Sequence, residues 1–301
     1  MSDFIVKRIL NSILVIFLVS SSGFLALSFL PGTAKEAKFG ERVHYFENDR
    51  ASPFLKYWKF ICGFYKDGLG ESSVTGRKVV DEIKDAIPYS LRLALFSVLI
   101  SLLISLPVGL LCVFKKDNII DNFILISSVL FSSLPVISLG PLLVFVFSIC
   151  LGFFPVSGSE GFKSLILPSL TLSFPFSAYL VRILRKSLKE ELKKGYIFSL
   201  RARGISDSRI VMSHVLRNSI FPLLTVVNLR LGSLITGAIL TETLFSLPGV
   251  GRLLVRSISG RDYNLTFGII IFSSLTYIFL NLITDIAYAI LDPRVRYAYK
   301  E

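Results

Sequence analysis

Apolar and polar positions alternate along this chain on a long wavelength. Apolar runs extend from Ile9 to Leu30, Tyr89 to Phe114, Asn122 to Cys150, Ser164 to Leu184, Ile220 to Thr241 and Phe267 to Leu291. About 20 residues of helix cross the ~30 Å hydrocarbon core of a bilayer, so each run predicts a transmembrane helix. Six spans place both termini on the same side, the cytoplasm. The first run is long for a signal-peptide core and lacks a small-residue cleavage site before Pro31, so it reads as an uncleaved span. Pro107, Pro135, Pro141, Pro168 and Pro175 fall inside runs and predict kinks, tolerated where neighbouring helices satisfy the freed carbonyls.

The polar segments read as loops. Residues 31–87 form the largest, an extracytoplasmic region with Trp58, Phe60, Phe64 and Tyr65 interspersed. Near its end, Val79, Val80, Ile83 and Ile87 have helical spacing and predict an amphipathic helix leading into the second span. Lys115 and Lys116 mark a cytoplasmic turn, LGFFPVSGSEGFK an external return, and DPRVRYAYKE the tail. The external connection ETLFSLPGVGRLLVRSISGRDYNL includes Gly249 and Gly251, which read as a turn.

The longest polar run in the hydrophobic half is EELKKGYIFSLRARGISDSRIVMSHVLRNSIFP, residues 190–222, within a cytoplasmic loop spanning 185–219. Its pattern predicts two short helices around a glycine. Glu190 to Arg203 suits the first, with Gly195 inside it. Gly204 stands where a helix stops in the left-handed conformation. Ser206 or Asp207 then offers a side-chain oxygen to cap the second.

Composition agrees with a membrane protein. The 301 residues are 52% hydrophobic with a net charge of +12, and mean hydropathy is +0.67. The basic residues sit at the ends of apolar runs, ten of them between Arg182 and Arg217. That placement suits the positive-inside rule and an anionic leaflet rather than nucleic acid. Cys62, Cys112 and Cys150 lie apart and imply no disulfide framework or metal site. His44 and His214 are too distant in sequence to suggest a ligand pair. The chain has no phosphate-binding G-x-x-x-x-G-K-[ST] loop, and Gly249-x-Gly251 lacks the context of a dinucleotide fingerprint. No catalytic triad or paired-carboxylate site stands out, so energy for any transport has to come from a partner.

The segment YIFSLRARGISDSRIVMSHVLRNSIFPLLT, with Ala202-x-Gly204 at its centre, resembles the coupling (EAA) loop of ABC importer permeases. LPGTA, DGLG, TGRKVVDEI, ETLFSLPGVGRLLVRSISGRDY and LDPRVRY resemble, in order, the B-type permeases of the oligopeptide, dipeptide and nickel group. The likeness covers nearly the whole chain. It departs at Asn264, where the group usually has proline after RDY. Arg217 stands where many coupling loops outside the group have proline, and Ser199, Leu200 and Ala202 replace the acidic-Ala-Ala letters.

The resemblance implies an all-α, polytopic permease of the type I ABC importer kind. It implies a bacterial cytoplasmic-membrane location and transport of oligopeptides or dipeptides, with nickel or another small solute as the alternative. It implies a second homologous permease, cytoplasmic ABC ATPase subunits that use ATP and Mg, and an external solute-binding protein. No cofactor is expected on this chain. Tyr196, Arg201, Ala202, Arg203, Gly204, Ile205 and Ser206 would form the ATPase-coupling site. There Ala202 and Gly204 permit close approach, Ile205 fills an apolar groove, and Arg201 and Arg203 meet acidic groups. From other classes, a channel or scaffold without ATP coupling and an intramembrane enzyme are the competing readings.

Two charges lie inside spans. Arg230 is ~12 Å past Pro222, and Asp285 ~9 Å before Leu291, at 1.5 Å per residue. A lone charge near mid-bilayer costs about 2.5–3.5 kcal/mol on insertion scales. Three readings stand: an Arg230–Asp285 pair, Arg230 meeting a peptide carboxylate in the pathway, and contact with the partner permease.

Overall fold

The computed structural model describes residues 14–23, 25, 69–114, 119–159 and 161–291, with side chains as far as 283. Half of the predicted first span and most of the 31–87 loop lie outside them, as do Lys115, Lys116, His44, Cys62 and the tail. Apart from one bridge between Glu71 and Lys78, the regular elements among the described residues are helical. The expected all-α class holds.

In chain order the helices are α1 (Leu14–Gly23), α2 (Val79–Phe114), α3 (Ile119–Ser133) and α4 (Val136–Val144), which runs on as a π-helix over Phe145–Cys150. Then come α5 (Lys163–Glu191), α6 (Gly195–Ala202) and α7 (Asp207–Ile210). A π-turn over Val211–Val215 joins α7 to α8 (Leu216–Ser219), and α9 (Phe221–Ile235), α10 (Ile239–Leu244), α11 (Val250–Ser259) and α12 (Tyr263–Leu291) complete the fold. Among the described residues three helices are long and apolar enough to cross a membrane unaided, and up to five spans result if each of two bent pairs counts as one.

Of the kinks predicted at prolines, the one at Pro135 is sharp enough to break its span. The predicted third span is two helices, α3 and α4, meeting at 96°. Pro135 sits at the break with an extended backbone, ψ 132°. It has no N–H to donate, and its ring pushes Leu134 away from helical geometry. The predicted fifth span begins at a 46° bend from the segment Asp207–Ser219, and its helix ends at Ile235, short of Thr241.

The chain packs as two compact units. One comprises the described residues up to Ser90, Ile235–Glu242 and those from Pro248 onward. Its core joins Val79, Ile83 and Ala86 of α2 to Val250 of α11 and to Leu265 and Ile269 of α12. The predicted amphipathic helix is the first part of α2, and its buried face runs through Val79 and Ile83, while Val80 points outward at 38% exposure. Asp262 caps α12, its Oδ1 accepting the Leu265 N–H at 3.1 Å. Asn264, the departure from the proline pattern, donates to the Glu71 carbonyl at 3.0 Å.

The Gly249-x-Gly251 stretch is the start of helix α11 rather than a free turn. The fully buried Glu242 carboxyl accepts the Ser90 hydroxyl at 2.7 Å and the Arg252 N–H at 3.0 Å. Ser90 Oγ in turn accepts the Val250 N–H at 2.8 Å. Two orphan amides of the first turn are thus satisfied by side chains brought from distant sequence. A Cβ on Gly249 would lie 2.4 Å from the Glu242 Cδ, so only glycine admits the carboxyl here.

The second unit comprises Leu91–Leu234 and Thr243–Leu247. Helix α5 is its axis, burying Leu167, Leu172, Leu180, Leu184 and Leu188, with α3 and α4 packed along it. At the end of α5 nearest the basic segment, Asp121 of α3 is almost fully buried. It accepts two bonds from Arg185, at 2.7 and 2.8 Å, and one from Lys189 at 2.6 Å. Outward-facing residues of these helices include Leu103, Phe123, Leu130 and Ile149, each at least 65% exposed, the apolar exterior expected of lipid-facing spans.

Candidate functional site

The basic segment builds a short helix between two turns. Helix α5 ends at Glu191, and Lys193 and Lys194 turn back by bonding their N–H groups to the carbonyls of Glu190 and Glu191 at 3.2 and 3.1 Å. Lys194 is extended and α6 starts afresh at Gly195. The single helix expected from Glu190 to Arg203 is therefore two pieces. Glycine inside a helix costs about 1 kcal/mol relative to alanine, and a start at Gly195 moves it to the end of the element.

What fixes the break is the Glu191 side chain, 7% exposed. Its Oε1 accepts the Tyr196 hydroxyl at 2.8 Å and the Asn218 amide at 2.9 Å. Its Oε2 pairs with the Lys194 ammonium at 2.5 Å. The end of α5, the start of α6 and helix α8 thus share one carboxylate. Burial first, and the Glu191 hydrogen bond second, push the Tyr196 phenol above its ordinary pKa.

The other end of α6 closes as expected. Gly204 has φ +75°, its N–H donates to the Arg201 carbonyl at 2.9 Å, and the Ile205 N–H donates to Leu200 at 3.3 Å. That pair of bonds is a Schellman motif, which needs a left-handed residue at the glycine position. The expected cap is absent. Ser206 occupies the cap position of α7 with extended backbone, but neither it nor Asp207 caps with its side chain. Asp207 instead accepts the Arg201 Nε at 2.9 Å. A side chain shared with an arginine across the turn is not turned toward its own helix amides.

The seven residues expected to form the coupling site therefore stand on one α6–turn–α7 unit. Ala202, Arg203, Gly204 and Ser206 are exposed, and Ile205 is half-buried. Ile197 is buried, and Phe198, at 78% exposure, is the most protruding apolar side chain of α6. Met212, 50% exposed, adds to the apolar surface of the segment. Neither was singled out from sequence, although an exposed phenylalanine in an otherwise polar run is a legible signal. Glu191 and Asn218 were missed too, because 27 residues separate them and no local pattern joins them.

Arg230 lies on α9 with its guanidinium 5.5 Å from the Phe176 ring centroid. The ring face attracts a cation, most strongly where water is excluded. The Arg230 Nε is buried without a hydrogen-bond partner among the described residues. Asp285 belongs to α12, and its side chain lies outside the described residues. Cys112 is buried, Cys150 and His214 are exposed, and no group of three metal-ligating side chains occurs among the described residues.

Residues 105–297 match a family described as binding-protein-dependent transport system inner membrane component. The chain is 33% identical over 305 residues to the glutathione transport system permease protein GsiC of Escherichia coli O6:H1, covering 99% of this chain and 100% of that one. It is 32% identical, with the same coverage, to GsiC of Escherichia coli K12 and of Shigella dysenteriae. In fold it is similar to the MetNI methionine ABC transporter in an inward-facing conformation, with TM-score 0.57 and 16% identity. That likeness covers 70% of this chain and 96% of the other.

Proposed function

The chain belongs to the family of binding-protein-dependent transport system inner membrane components, the permease subunits of ABC importers, and from that premise we propose that it carries short peptides into the cell. The likeness to glutathione permeases along 99% of the chain carries the substrate reading. Glutathione is itself a tripeptide with two carboxylates, close in chemistry to dipeptides and oligopeptides.

In this reading the chain pairs with a second homologous permease, and both termini face the cytoplasm. ATP and Mg are used by the partner ATPase subunits, and this chain contributes no catalytic group and no cofactor site. The α6–turn–α7 unit docks on the ATPase. Phe198 and Ala202 supply its apolar and small contacts, and Gly204 sets the angle of the turn. Arg230 lines the pathway or meets the partner permease, where its charge suits a peptide carboxylate.

Uptake of labelled glutathione, a mixed dipeptide pool and nickel, compared in cells with and without this chain, tests the substrate. Loss of glutathione or dipeptide uptake on deletion is the expected result. Loss of nickel uptake alone would replace peptide by metal and keep the importer.

A further inference from the structure

We infer that Glu191 is a positioning residue, a latch through which the coupling segment moves with the helices on both sides of it. The inference rests on the importer reading above and goes beyond it, since it assigns the transmission to a carboxylate outside the docking segment.

The geometry leads to it in three steps. Helix α6 has only eight residues, and a helix so short is marginal on its own, so its orientation comes from the packing of its buried Ile197 and from attachments at its ends. At its far end the attachments are the Schellman bonds and the Arg201–Asp207 pair. Both partners of that pair are more than half exposed, and such exposed pairs hold little against solvent. At its near end the acceptor is buried, and its donors reach it from side chains that are themselves exposed. Glu191, the last residue of α5, takes donors from Lys194, from Tyr196 on α6 and from Asn218 on α8.

Charge-assisted bonds to a carboxylate are the stronger class, and the burial of the Glu191 carboxylate limits the access of water to the acceptor side of each. One rigid point therefore joins the end of α5, the first turn of α6 and the segment that leads through α8 into α9. A displacement of α6 by a partner is carried into both long helices through this point. If the three donors were released, α6 would yield locally on the turn at 192–194, and the displacement would be lost there.

The test exchanges donor and acceptor. Asn218→Asp sets a second carboxyl against Glu191 and removes a donor. Glu191→Gln in the same chain restores one donor and one acceptor between the two positions. The complete complex, with its permease partner, ATPase subunits and binding protein, is reconstituted in proteoliposomes with labelled glutathione as the probe. Three quantities are read: co-purification of the ATPase, glutathione taken up per ATP hydrolysed, and stimulation of hydrolysis by the binding protein.

The expected result for Asn218→Asp is an assembled complex whose uptake per ATP falls about tenfold, the order expected when a buried charge-assisted bond is broken. The double variant is expected to recover to within about threefold of wild type, because the two sites act through one interaction. Wild-type coupling in Asn218→Asp, or a double variant no better than the single one, overturns the latch. If the wild-type complex takes up no glutathione, the substrate reading fails. The latch is then decided by binding-protein stimulation, which is expected to be lost in the single variant and regained in the double.

Discussion

At the scale of residues, two backbone and side-chain positions carry testable consequences. Gly204 holds φ +75°, where an L side chain costs about 1–2 kcal/mol and a β-branched one is worse. The space around it is open, so strain rather than collision is the penalty. Gly204→Ala is expected to reduce ATP-driven uptake and Gly204→Val to reduce it further, with membrane insertion intact in both. Equal uptake by wild type and the valine variant would show that the turn angle is immaterial. Tyr196 offers a titration. Its folded pKa stands above the unfolded value of ~10, so its contribution is intact below that pH and is lost as pH rises through the folded value. The difference in ultraviolet phenolate absorbance between wild type and Tyr196→Phe should develop at a more alkaline pH than for free tyrosine. Development at the ordinary pH would mean that neither burial nor the Glu191 bond holds the phenol proton.

Among elements, the burial of Asp121 between Arg185 and Lys189 is the clearest point of attachment between α3 and α5. Breaking a buried pair by removing one partner costs about 3–5 kcal/mol, and the low end applies because the two cations are about a fifth exposed. Asp121→Ala is therefore expected to lower the thermal midpoint in detergent clearly. Asp121→Leu combined with Arg185→Met and Lys189→Met should lower it less, since no charge is left stranded. An alanine variant with an unchanged midpoint would remove the attachment from the account. None of this was legible in sequence, where Asp121 reads as an unremarkable polar residue at the start of a span. The prolines show the same limit. Pro135 breaks its span, whereas Pro141, Pro168 and Pro175 remain inside α4 and α5. A proline removes one hydrogen bond wherever it sits, and the packing around it decides whether the helix bends or absorbs the loss.

For the whole molecule, the length of the apolar runs was the most informative property, because hydrocarbon thickness sets it directly. Among the described residues it located three helices long enough to span and two bent pairs, while the described part of the first run forms only the shorter helix Leu14–Gly23. Ends and breaks escaped it, because they depend on contacts between distant residues. The turn at Gly204 in the basic segment was legible because glycine marks it locally. The Glu191–Asn218 bond was not, since the two residues meet only after the chain has turned at 192–194 and again at 203–206. The start of α11 was hidden for the same reason, its amides being satisfied by Ser90 and Glu242 from other parts of the chain. What the described residues show is a set of apolar helices with an exposed helix–turn–helix on a basic loop. That arrangement suits a device driven from outside itself better than a pore.

The most direct measurement is glutathione uptake by proteoliposomes holding the complete complex, with ATP present or absent on the ATPase side, for wild type and Gly204→Val. An importer coupled through this turn gives uptake that requires ATP and is lost in the variant while the ATPase still co-purifies. Uptake that runs down its gradient without ATP and is unchanged in the variant would contradict it, and would make the chain a channel.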